Sequence, residues 1–161
     1  MRTIYTIGYE GVSPDDLISA LEAEGVALLL DVRELPLSRR RGFSKNALRL
    51  ALEARGIGYR HERALGAPAP IRHRVKRDGD WQRYFRAYDR HLDGCSSLIE
   101  SIAATVTGSV ALLCFEADPE TCHRRSVARA LAAESGRPVR HLLAEGSGAW
   151  SYVAEQELAA A

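Results

Sequence analysis

The sequence predicts an α/β fold built on one mostly parallel sheet, and two observations predict it. Short apolar runs with the length of buried strands alternate along the chain with amphipathic runs of helical period. Polar, chemically capable residues then gather where the apolar runs end and are sparse where they begin. A sheet whose strands all point one way would bring those ends to a single rim.

Each element has a local cause. Arg2 to Ile7 alternates, is rich in β-formers and stops at Gly8. Ser13-Pro14-Asp15-Asp16 is a helix start, and Leu17, Ile18 and Leu21 share one face of the helix that runs to about Glu24. Val26 to Val32 is a continuous apolar run, as expected of a strand covered on both faces. After a polar loop containing Pro36 and Gly42, Ser44 opens a helix from Lys45 to Arg55 with Leu48 and Leu52 inward. Gly56 to His61 reads as a short strand. Residues 62–80 hold prolines and glycines with little periodicity and read as a long basic loop, able to close over a ligand. Trp81–Leu92 and Ser96–Thr105 read as helices; Trp81, Tyr84, Phe85 and Tyr88 at helical spacing are expected in the core. Ser109 to Leu113 is the fourth strand. Asp118-Pro119 starts a helix from about Glu120 to Ser135, Pro138 to Leu142 is the fifth strand, and residues 149–160 read as a closing helix. The expected architecture is a five-stranded, Rossmann-like three-layer sandwich. It forms a single domain over residues 1–161, with a core from about 3 to 142 and a C-terminal extension from 143 to 161.

No apolar run approaches the ~20 residues that span a bilayer, so no membrane partner is expected. The amino terminus enters a strand pattern directly and lacks a signal-peptide layout. Three cysteines, Cys95, Cys114 and Cys122, give no disulfide framework, and a cytoplasmic location is expected. The net charge of +1 hides an asymmetry: residues 33–77 carry thirteen Arg or Lys against three acids. That segment is either an anion-attracting surface, suited to a nucleotide or nucleic acid, or a solvated face whose charges pair across the fold.

The densest chemistry lies in Cys114-Phe115-Glu116 and Cys122-His123-Arg124, at a strand-to-helix junction. Cys122, in the first turn of its helix, is either a thiol activated by the helix end or a small packing residue. Glu116, His61 and Asp31 are candidate acids or bases. The spacing matches no zinc ribbon or finger, so no metal ligand is assigned. Were a divalent metal present, Cys114, Cys122 and His123 would hold it, with Glu116 or His141 as a fourth ligand. In the segment from Asp31 to Arg39, Arg33, Ser38 and Arg39 are candidate anion-binding groups, joined by Arg124; an Asp31–Arg33 ion pair is the plain alternative. Tyr9 and Glu10 end the first strand and Tyr59 and His61 the third, so they join His123 as candidate substrate contacts. The chain lacks both the Gly-x-Gly-x-x-Gly fingerprint and a phosphate-loop lysine, which argues against a bound dinucleotide or an ATPase.

Several of these motifs together resemble the bacterial and archaeal domain-of-unknown-function 488 family. They are Thr6-Ile7-Gly8-Tyr9-Glu10-Gly11, Asp31-Val32-Arg33 with Pro36, Ser38 and Arg39, Gly42-Phe43-Ser44, and Tyr59 with His61. Leu65-Gly66, Cys114-Phe115-Glu116, Cys122-His123-Arg124 and Val139 to Leu142 complete the series. The resemblance implies a compact α/β fold and a cluster of these residues, and brings no established reaction. Asp31-Val32-Arg33 is also similar to a rhodanese signature, but no single catalytic cysteine loop follows it. Residues six beyond Cys114 and Cys122 are Glu120 and Ala128, which excludes a Cys-x5-Arg phosphatase loop. The reading best supported is an enzyme acting on a phosphate-bearing substrate. The alternatives are a nucleic-acid-binding module using residues 33–77 and a Cys/His redox or metal sensor.

Overall fold

The computed structural model describes residues 2–161. Six strands form one sheet: β1 (Ile4–Gly8), β2 (Val26–Asp31), β3 (Gly58–His61), β4 (Ser109–Cys114), β5 (Val139–Gly146) and β6 (Ala149–Ala154). Their spatial order is β3-β2-β4-β1-β5-β6. The first five run parallel, and β6 pairs antiparallel with β5. The helices are α1 (Pro14–Ala23), α2 (Lys45–Glu53), α3 (Ala69–Asp78), α4 (Trp81–Asp93), α5 (Ser96–Thr105), α6 (Arg124–Ser135) and α7 (Glu155–Ala160).

Two apolar layers flank the sheet because β4, central and covered on both faces, alternates between them. Val110 and Leu112 pack with Tyr84, Tyr88, Ile99, Ile102 and Val127 from α4, α5 and α6. Ala111 and Leu113 pack with Leu17, Leu21, Leu48 and Leu52 from α1 and α2. The crossovers that carry the chain from β1 through β2 to β3 thus run over one face, and those that return it to β4 and β5 run over the other. Right-handed connections require that division when the strand order reverses. Where β4 lies between β1 and β2, the following segments leave toward opposite faces, and a crevice opens at the C-terminal rim.

The fold class stands as expected, with local differences. Residues 62–80 are not a loop. They hold a 3-10 turn, Arg63–Leu65, and the ten-residue α3, whose Pro70 sits in the first turn, where a missing N–H costs little. The closing segment is a strand before it is a helix: Ala149–Ala154 pairs with β5 and only Glu155–Ala160 is helical. The helix expected from Glu120 starts at Arg124. Asp118 caps a 3-10 turn, Pro119–Thr121, and Cys122 follows it in extended backbone (φ −139°, ψ 134°), outside the helix. Ser44 precedes α2 but bonds the Ser38 backbone rather than its own helix.

His141 locks the late elements to β1. Fully buried, it accepts from the Thr6 hydroxyl at Nδ1 (2.8 Å) and donates from Nε2 to Glu155 (2.7 Å), which Arg125 also holds. Burial pushes the imidazole below its ordinary value of 6.5; burial also opposes the Glu155 carboxylate, but Arg125 and His141 outweigh that and hold it below 4.5. In both cases the unfolded chain takes up a proton that the native chain refuses. The stability these two groups contribute is therefore complete above about pH 6.5 and is lost as pH falls, first through His141 and then, below about 4.5, through Glu155. Urea titrations between pH 7.5 and 4 are expected to show this as a slope in the unfolding midpoint that His141 carries. His141→Asn should flatten the part of that slope between pH 6.5 and 5.

Candidate functional site

The rim crevice is a cavity of about 300 Å³. Its floor is Cys114, Glu116 and His123, beside Tyr9 and Arg33. Arg72, Val75 and Lys76 of α3 and Trp81 and Tyr84 of α4 form a wall. Cys114 reaches it because β4 alternates: it lies two residues beyond Leu112, on the α4–α6 face.

Cys114, Cys122 and His123 are buried together, each offering a ligand atom within 4.8 Å of the others. His123 Nδ1 lies 3.8 Å from the Cys114 sulfur and 3.9 Å from the Cys122 sulfur. Its Nε2 lies 2.6 Å from the Val32 carbonyl, which can only accept, so Nε2 carries the proton. The Cys114 thiol donates to Glu116 at 3.2 Å. Burial opposes a charge on Cys122, yet the Cys114 thiol, Arg124 and His123 outweigh it and hold Cys122 well below the usual thiol range. Contact with Cys122 and burial push Cys114 up. Burial likewise opposes the His123 cation, but Cys122 beside it raises that group. Burial, with Cys122, pushes Glu116 up to about 7. The floor of the cavity thus carries one thiol, one imidazole and one carboxyl, with the Cys122 sulfur buried behind them.

The other expected site residues are placed differently. Asp31 is fully buried; its carboxylate accepts from Arg33 Nε (2.8 Å) and Nη2 (2.7 Å), from the Arg33 backbone N–H (3.2 Å) and from the Tyr59 hydroxyl (2.5 Å). Arg33 directs Nη1 to the Phe43 carbonyl (2.8 Å) and the Tyr9 hydroxyl (3.4 Å). Tyr9 lines the cavity, stacked on Phe43 at 4.5 Å. Arg124 is fully buried and grips the carbonyls of Glu116 and Ala117; among the described residues its Nε is the one buried side-chain nitrogen or oxygen without a partner. Glu10 accepts from the Ala117 N–H (2.9 Å) and so fastens the same loop. His61 bonds the Arg33 carbonyl through Nε2 (2.7 Å), and Ser38 accepts from the Arg40 N–H (3.0 Å). Glu10, Asp31, Ser38, Arg39, Tyr59, His61, Cys122 and Arg124 do not line the cavity. The basic segment is paired in part: of its thirteen cations, Arg33, Arg49, Arg55, Arg60, Arg72 and Arg74 meet carboxylates.

Sequence reading missed the α3–α4 wall. Trp81, expected in the core, is 37% exposed. Leu35, Leu37, Trp81 and Phe115, four of the six exposed large hydrophobic residues, line this one cavity. Lys76 also lines it, and among the described residues it is the lining cation without a carboxylate partner.

The fold and the rim define an α/β protein with a cavity of small-molecule size at a topological switch point. The profile described as "Domain of unknown function DUF488" matches residues 13–131, and the chain belongs to that family. The matched span holds Asp31, Arg33, Cys114, Glu116, Cys122 and His123, and leaves Gly8 to Glu10 and His141 outside. Comparison with curated proteins and with solved structures gave no match. Among the described residues no helix is long and apolar enough to cross a membrane.

Proposed function

We propose that this chain is an enzyme acting on a phosphate-bearing small molecule of nucleotide size, bound in the rim cavity with its reacting atoms over Cys114, Glu116 and His123. One observation carries the reading: most of the exposed large hydrophobic side chains converge on the same cavity as the thiol, imidazole and carboxyl groups. Convergent polar groups within an apolar wall are the signature of a ligand site, and about 300 Å³ is at the lower end of the range such sites occupy. Trp81, Tyr84 and Phe115 suit a flat apolar body. Arg33 directs most of its donors to its own chain and Arg124 does not line the cavity, so the anion-binding role passes to Lys76, with Arg72 behind it held by Glu34 (2.7 Å). Glu116 is the group placed to accept or donate a hydrogen bond at the reacting centre.

Calorimetric titration with nucleoside monophosphates and the matching nucleosides tests this. A charge-assisted contact contributes about 1.5–3 kcal/mol, so the phosphorylated form should bind more than about ten-fold tighter. Lys76→Ala, at an exposed position, should abolish that preference and leave thermal stability unchanged. Equal affinity for the two forms, or a Lys76→Ala variant that still distinguishes them, overturns the reading.

A further inference from the structure

We propose that Cys114, Cys122 and His123 bind a divalent transition-metal ion of the zinc type, with a fourth coordination position open to the rim cavity beside Glu116. The three donors come from two segments, the end of β4 and the turn before α6, and meet as one buried cluster. Zinc–sulfur and zinc–nitrogen bonds of ~2.3 and ~2.05 Å at tetrahedral angles put sulfur and nitrogen about 3.6 Å apart. His123 Nδ1 stands 3.8 and 3.9 Å from the two sulfurs, within a few tenths of an ångström of that spacing, and all three donor atoms lie within 4.8 Å of one another.

The imidazole is oriented for this and for little else. The Val32 carbonyl takes the Nε2 proton and turns Nδ1 toward the sulfurs, the backing that metal-bound histidines have. The Tyr88 ring, edge-on at 5.1 Å, packs against the same imidazole. A disulfide between Cys114 and Cys122 would need none of this. Two thiolates and an imidazole are borderline-soft donors, which select zinc or cobalt over magnesium or calcium. Binding requires both sulfurs and His123 Nδ1 to be free of protons, and those they carry leave to solvent.

Access fixes the open side. Cys114 and His123 line the cavity while Cys122 is fully buried behind them, so the uncommitted position faces the substrate space. Sites with three protein ligands and one open position are the catalytic kind. Glu116, 3.2 Å from the Cys114 sulfur, borders that position and would bond a water held there. The site itself stands on the three side chains. Its use in catalysis rests on the reading of the cavity given above.

The test is titration of reduced, chelator-treated protein with cobalt(II). The expected result is one cobalt per chain, with a thiolate-to-cobalt charge-transfer band in the near ultraviolet and strong visible absorption of tetrahedral type, both removed by stoichiometric zinc. Cys95→Ser should retain them, because Cys95 sits apart near the Ala64 carbonyl. Cys122→Ser and Cys114→Ser should each weaken binding more than about ten-fold. Should those variants unfold, the wild type alone decides: the cobalt spectrum should saturate at one equivalent, and one equivalent of zinc should raise the melting temperature. Absence of the charge-transfer band, or a melting temperature unmoved by zinc, overturns the metal site. Loss of phosphate preference with the cobalt spectrum intact overturns the substrate reading alone.

Discussion

Arg33→Ala is expected to destabilise the chain by about 3–5 kcal/mol, the cost of leaving one member of a buried ion pair alone. Asp31 is fully buried and receives two of its hydrogen bonds from the Arg33 guanidinium, at 2.8 and 2.7 Å; the Arg33 backbone and Tyr59 supply the others. Removing the guanidinium strands a carboxylate at the end of β2, under Tyr59 and beside Val32. It also frees the Phe43 carbonyl, which holds the start of α2 against the rim. Arg33→Lys should recover little, because an ammonium cannot reproduce the two-pronged contact. Asp31→Leu combined with Arg33→Met should recover most of the loss, since no buried charge is then left unpaired. Urea unfolding of the four proteins checks this. An Arg33→Ala variant within 1 kcal/mol of wild type, with ligand binding lost, would return Arg33 to the role of substrate contact.

That outcome bears on what a sequence discloses. The run Val26 to Asp31 is apolar enough to be read as a buried strand, and the alternation of β4 already implies that Leu112 and Cys114 share a face. The cysteine–histidine cluster was therefore visible, because its members lie at the two ends of one short junction. The arginines were not legible in the same way. A sequence displays each guanidinium but not the acceptors that fold against it, and Arg33 and Arg124 look free until Asp31, Phe43, Glu116 and Ala117 are set around them. The partner of His141 is Glu155, on a helix preceded by a strand that the alanine-rich composition disguised. The turn Gly146-Ser147-Gly148, with φ of 82°, 53° and 78°, is the signal that would have marked that hairpin. Pro68 and Pro70 disguised α3 in the same manner. A proline in the first helical turn reads as a break when the residues beyond it are charged and lack a clear apolar stripe. With α3 hidden, the wall carrying Arg72, Val75 and Lys76 was hidden too, and Trp81 at the head of α4 passed for core.

Gly8→Ala is expected to cost about 3 kcal/mol or more, by crowding rather than by backbone strain. Gly8 ends β1 against Cys114, and a methyl added there would lie 1.8 Å from the Glu116 carbonyl oxygen and 2.6 Å from its carbon. Relief requires the backbone of residues 115–117 to retreat, and that backbone is fastened from several directions. Tyr9 and Glu10 donate to the Cys114 and Phe115 carbonyls at 3.2 and 2.8 Å, Glu10 accepts from the Ala117 N–H, and Arg124 holds the Glu116 and Ala117 carbonyls. Displacing the loop therefore breaks bonds to buried groups, and the melting temperature should fall by roughly 6–12 °C for a domain of this size. The same retreat moves Glu116 away from the Cys114 sulfur. Gly11→Ala is the control. Its φ of 76° is unfavourable for alanine, but open space surrounds it, so about 1 kcal/mol should be lost with the floor of the cavity undisturbed. If the two substitutions cost the same, the close approach of β1 to the Glu116 backbone does not hold the rim together, and the cysteines and the carboxyl owe their positions to some other contact.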